Sequence, residues 1–368
     1  MVRRSQAQAE IGNDVARNAK RPKVEEPGSR RTSLRRAQQR ALTPIPAAHP
    51  ELWWSDGNVV VAAVDLSFRV HASILRRHSS IFAELLDKAP DAVGEVHEAF
   101  DECQILRVQD KGADLAEMFS VLYDGGSRGF FDWKKPIEFG KLRQITLVAI
   151  KYKVQHIIDE AAARLEHVFP TSFVPERLGV DSWVGVRPDY PVHFPHRDAA
   201  IIGAVLLARA IDKDNPPAFI ATAMYHCASL VSRDLYSPCP TEDQLSLTYE
   251  DFLKCDYASG QLIRKCSWVR SPVADALQKP LCGGKACRKG LQRLVCDWIR
   301  SSAFSTSQPL SLFASTVIPT YRDAAPDAQL CKLCAVALLE TIAQRQREVF
   351  ADLGNIFEVP NWPAQPQA

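Results

Sequence analysis

Apolar and polar positions change period several times along the chain, and each change predicts an element. Asn58 to Val64, "NVVVAAV", is a β-branched run short enough for a buried strand, and "DLSFRV" follows at hairpin distance. Ser67 to Val70 alternate polar and apolar side chains, the period of a half-buried strand. Beyond His71 the spacing turns helical. Ile81, Phe82, Leu85 and Leu86 share one face, which predicts two short helices between Ala72 and about Leu86. Cys103 to Val108, "CQILRV", reads as a further strand. Leu115, Met118, Phe119, Leu122 and Tyr123 make an i, i+3, i+4, i+7, i+8 stripe, ended by Gly125 and Gly126 as a left-handed cap. Two more helices are predicted, at about 139–152 and 155–168, the second with Ile157, Ile158, Ala161, Ala162 and Leu165 on one face. A few strands followed by packed helices is an α+β arrangement and not a doubly wound sheet.

The half from 169 to 368 predicts a mostly α-helical C-terminal domain with proline-rich connections. Helical spacing runs through "DAAIIGAVLLARAI", "PPAFIATAMYHCASLV", "LTYEDFLKC", "RLVCDWIRS" and "PDAQLCKLCAVALLETIAQRQREVF". Thr248 with Asp251 resembles a capping box with Asp in place of Glu, and Pro326 stands where a helix can begin. No fixed period recurs, which argues against a solenoid.

Composition narrows the class. Hydrophobic residues make up 46% of the 368, a level suited to globular cores. The longest strongly apolar stretch, "IIGAVLLARAI", is eleven residues long and contains Arg209, whereas a bilayer span needs about 20. No membrane partner is expected. The N-terminus is charged from its third residue and has no apolar core, so no secretory signal is expected. An intracellular protein, nuclear or cytoplasmic, follows from that reading, with its ten cysteines as reduced thiols or metal ligands. The net charge of +2 is unevenly spread. Residues 1–48 hold eleven Lys and Arg against four Asp and Glu with almost no large apolar groups, so 1–50 is expected to be a disordered basic tail. "TPIPAAHP" is expected to close that tail as an extended linker. Clusters such as "KRPK" suit a nuclear address or a weak nucleic-acid patch, or simply a solvated tail.

Candidate chemistry is sparse. No G-x-S-x-G elbow, Walker loop, H-E-x-x-H or G-x-G-x-x-G after a strand occurs, and no enzyme activity is expected. "GGKACRKG" lacks the spacing of a phosphate loop and reads as a turn, and His193 and His196 in "HFPH" read as a surface loop. The cysteines are more informative. Cys282 and Cys287 form a C-x4-C pair, and Cys331 and Cys334 form a C-x2-C pair 43 residues later. Two such pairs can supply the four thiolates of a structural zinc site. The alternative is packing, because cysteine is a small hydrophobe and Cys227, Cys255, Cys266 and Cys296 also sit among apolar residues. The glycines of "CGGKAC" make a poor helix and a good knuckle.

Residues 54–168 resemble a BTB/POZ domain. The resemblance is carried by "SDGNVVV", "FRVHASILRRHSSIFAELL", "ILRV", "LAEMFSVLYDG" and "LVAIKYKVQHI", in that order. "LCKLC" and "FEVPNWP" are similar to the C-terminal part of BTB proteins common in mushroom-forming fungi. The resemblance implies a non-enzymatic protein–protein interaction module spanning 51–168, with protein partners in place of nucleic acid. It implies a homodimer with Trp53, Trp54, Leu66 and Phe82 near the contact, their alternative being core packing, although residues before Trp53 look too disordered to exchange a strand. It also implies a substrate adaptor that recruits a cullin through Leu115 and Glu117, with Tyr123 at the following turn; the alternative is Leu115 in the core and Glu117 on a solvated face. His71 would be a structural histidine at the strand-to-helix corner. The other reading is a zinc-containing nuclear factor that contacts nucleic acid through its basic tail.

Overall fold

The structure is a computed structural model and describes residues 44–88, 99–124, 130–174, 178, 190–230, 245–278, 281–300, 309–310 and 330–363. It is a mixed α+β fold. Strand β1 (Ala47–Trp53) leads to the hairpin β2 (Val59–Ala62) and β3 (Leu66–Val70), then to α1 (Ala72–His78) and α2 (Ser80–Asp87). Strands β4 (Ala99–Phe100) and β5 (Cys103–Arg107) precede helix α3 (Gly112–Asp124). The sheet order is β1-β3-β2-β5-β4, with the hairpin antiparallel and both β1–β3 and β2–β5 parallel. Val59 and Val61 turn to the core beside Phe68, Val70 and Leu75, all nearly without solvent contact.

One expectation about the tail needs correcting. Ala47 to Pro50 belong to β1 and not to an extended linker. The Ser67 hydroxyl donates to the Pro46 carbonyl at 2.8 Å, the His49 ring stacks on Phe68, and Leu52 is buried. Pro50 is tolerated because β1 is the sheet edge, where a missing N–H costs no ladder bond. The rest of the predicted tail, the Gly125–Gly126 cap and Pro326 lie outside the described residues.

After the short strand β6 (Ile137–Glu138), helices α4 (Phe139–Tyr152) and α5 (Gln155–Val168) follow the predicted spans. Strand β7 (Val192–His193) pairs with β6, and then come α6 (Arg197–Ile211) and α7 (Ile220–Cys227). Helix α8 (Tyr249–Gln278) is far longer than "LTYEDFLKC" suggested. Its buried face continues through Cys255, Ala258, Leu262, Cys266 and Val269, so packing carries the helix on past the predicted segment. The Thr248–Asp251 cap is present: the Asp251 N–H donates to the Thr248 hydroxyl oxygen at 3.2 Å, and that hydroxyl donates back to the carboxylate at 3.0 Å. Arg209 of α6 meets the same carboxylate at 2.7 Å. Helices α9 (Lys285–Arg300), α10 (Lys332–Ala351) and α11 (Leu353–Ile356) complete the chain's described order.

The boundary expected at residue 168 does not separate two cores. A single apolar core runs from Leu52 to Val359. Phe139 of α4 stacks on Phe194, and a Cβ at Gly203 of α6 would lie 2.6 Å from its ring. Arg164 of α5 is fully buried and donates to the carbonyls of Phe130 and Pro191 at 2.6 and 2.8 Å while pairing with Glu160.

Candidate metal centre

The two cysteine pairs are brought together by helix packing. Both α9 and α10 lie against α8, and their first turns converge. Cys282 precedes α9 in a turn where Gly283 has a φ of 63°, the left-handed region that glycine enters without steric cost. The Gly284 N–H then points back to the Cys282 sulfur at 3.4 Å, and Cys287 lies in the first turn of α9. Cys331 is the N-cap of α10, with Cys334 in its first turn. The Cys331 N–H donates to the Cys287 sulfur at 3.2 Å and links the two knuckles.

All four sulfurs lie within 4.8 Å of one another. A tetrahedral ion with metal–sulfur bonds of about 2.3 Å sets its ligands about 3.8 Å apart, so a small contraction closes this cluster on a metal. The electrostatics are divided among the four sulfurs. Two helix N-termini direct positive ends at the sulfurs, and Lys285, Arg288 and Lys332 adjoin them in sequence. The Cys282 thiol is brought down to about 7 by the Gly284 N–H and by the neighbouring thiols. Burial pushes Cys287 up to about 12, and burial also raises Cys334. Four thiols this close cannot all ionise unaided, and a soft cation among them supplies the missing charge. The four cysteines can therefore hold a metal, and the set is of the kind that selects zinc or iron. Cys227, Cys255 and Cys266 are buried elsewhere, as core filler.

The residues implied by the BTB/POZ resemblance divide sharply. Leu115 has no solvent exposure and sits in the core, so it cannot fill a partner's pocket. Glu117 pairs with Lys141 at 2.8 Å. The cullin element is thus turned inward at its apolar residue, because the α3 stripe that contains Leu115 is the one that covers the sheet. Of the expected dimer contacts, Phe82 is fully buried and stacks on Tyr152 with ring centres 4.3 Å apart. Leu66 packs on the start of α3, where a Cβ at Gly112 would come within 2.4 Å of it. Trp53 is half-buried and meets the exposed Phe100 edge-on, while Trp54 stays 40% exposed.

His71 caps the corner it was expected to make. Its Nδ1 lies 2.9 Å from the Tyr123 hydroxyl, its backbone N–H donates to that oxygen at 2.7 Å, and its Nε2 lies 3.3 Å from the Asp56 carboxylate. The arrangement suits the tautomer with the proton on Nε2, the tyrosine donating to Nδ1. Trp54 stacks over the Tyr123 ring. His71 lowers the Asp56 pKa by hydrogen bonding, and burial raises that of Tyr123. The Asp56 and Tyr123 partners of His71 have no local signature, being 15 and 52 positions away from it. His193 lies in β7 and His196 caps α6, and they join no metal-binding group among the described residues.

No protein-family model, curated protein or solved structure matches the chain.

Proposed function

We propose that this chain is a non-enzymatic protein-interaction module of the BTB/POZ kind, with a structural zinc ion tying together the helices of its C-terminal half. One observation carries the reading. From β2 to α5 the elements include, in order and nearly in bounds, the segments on which the resemblance rests, and the histidine at its strand-to-helix junction is braced between Asp56 and Tyr123. Trp54 and Phe100, both exposed near the half-buried Trp53, supply apolar surface for a second copy. Light scattering of the full chain at micromolar concentration is expected to give twice the chain mass, and Trp54→Ser to return it towards one. Monomer mass for the unaltered chain overturns the self-association.

The metal is tested separately. Protein purified without chelator is expected to carry about one zinc per chain, and Cys334→Ser to lose it and to lower thermal stability. A metal-free protein that is unaffected by zinc leaves the four cysteines as packing.

A further inference from the structure

The exposed side of α9 is uniform in charge. From Lys285 to Arg293 the exposed residues are Lys285, Arg288, Lys289, Gln292 and Arg293, four cations and one amide. Cys287, Gly290 and Leu291 face inward, so the 3.6-residue period separates a buried side from a cationic one. Lys285, Arg288 and Arg293 enter no ion pair among the described residues. Lys332 extends the same charge beyond the helix, one position after Cys331, whose N–H reaches Cys287. A chain with net charge of only +2 has concentrated four positive charges on about 12 Å of one rigid helix.

We propose that this face of α9 binds the phosphate backbone of nucleic acid. Its length matches three to four phosphates of one strand at about 3.4 Å each along a duplex axis. Other occupants fit less well. A membrane surface needs an apolar side to insert beside the cations, and Lys285 to Arg293 exposes none. A protein interface needs a central aromatic or aliphatic anchor, and Lys285 to Arg293 exposes none, the exposed Leu281 and Leu333 falling outside that run. A lysine- and arginine-lined helix with a glutamine among them is built for repeated contact with phosphate oxygens, without base-specific readout. The metal centre would fix where the helix starts, but the proposal rests on the placement of α9 and not on the metal.

The test is anisotropy of a labelled random-sequence duplex titrated with the full chain between 50 and 200 mM salt, reported with the zinc content of each preparation. Binding is expected to weaken steeply with salt. The combined variant Lys285→Gln, Arg288→Gln, Arg293→Gln is expected to bind at least about tenfold more weakly, with a log–log salt slope shallower by about 2 to 3. Gln292→Glu, which removes no cation, is expected to weaken binding in the same direction. Circular dichroism shows whether each variant is folded, and Gln292→Glu decides alone if the combined variant is not. If both folded variants bind as tightly as the unaltered chain, the basic tail carries the affinity and the proposal fails. It fails equally if no duplex binding occurs at low salt, or if poly-glutamate is bound more tightly than the duplex. A zinc-free preparation that still binds through α9 leaves this proposal standing, while the metal reading is decided by zinc content and stability alone.

Discussion

Phe82 illustrates how spacing can place a side chain on a helix face while leaving two destinations open, a dimer contact or the core. Its spacing with Ile81, Leu85 and Leu86 marks an apolar face, and that face meets Tyr152 and Phe119 inside the chain and not a second copy. Removing the ring leaves a cavity that the surrounding helices fill only in part. Phe82→Ala is therefore expected to cost about 3–5 kcal/mol of stability in urea unfolding. A cost below about 1 kcal/mol would mean the ring sits at a surface. Leu115 follows the same logic: an apolar residue beside a glutamate reads as a docking element until the sheet claims it. His71 goes the other way, since one polar residue at a change of period is enough to locate a corner.

Between elements, the junction of α1 with α5 holds a pair of imidazoles. His78 in the last turn of α1 and His156 in the first turn of α5 have ring centres 4.8 Å apart. Burial lowers both pKa values. Arg77 adds to the effect at His78, while at His156 the neighbouring His78 adds to it and Asp159 opposes it. Phe131 also stacks against His156. An unfolded chain takes up these protons near the ordinary histidine value of about 6.5, and the folded chain resists them until lower pH. The pair thus contributes fully above that value, and the contribution is lost as pH falls below it. The urea midpoint is expected to drop between pH 7.5 and pH 5.5, and His156→Gln to flatten that drop. An unchanged pH dependence in the variant assigns the effect to other groups. No helix among the described residues is long and apolar enough to cross a membrane.

At the scale of the whole molecule, the shared core governs behaviour. Phe139 and Phe169 both meet Phe194, and Thr222 of α7 donates to the Pro170 carbonyl at 2.8 Å. Arg164, fully buried, donates to the carbonyls of Phe130 and Pro191 and pairs with Glu160, so cutting the chain after 168 takes the Pro191 carbonyl away from a buried cation. Residues 46–168 expressed alone are expected to aggregate or to unfold well below the full chain, measured by circular dichroism and light scattering. A fragment with the full chain's melting temperature would show that the N-terminal half folds on its own.

The sequence by itself determined the elements whose periods are local. The spans of α4 and α5, the β2–β3 hairpin and the Thr248 cap were all legible, because a helix or strand writes its buried face at a fixed interval. The C-x4-C and C-x2-C spacings were legible for a similar reason, each pair being a short-range knuckle. Tertiary structure alone decided which faces meet. It joined two cysteine pairs across 43 residues, paired β1 with β3 despite Pro50, turned Leu115 and Phe82 inward, and set Tyr123 against His71. Such contacts depend on which distant surface removes a given face from water, and a periodic pattern records that a face is buried without recording what buries it.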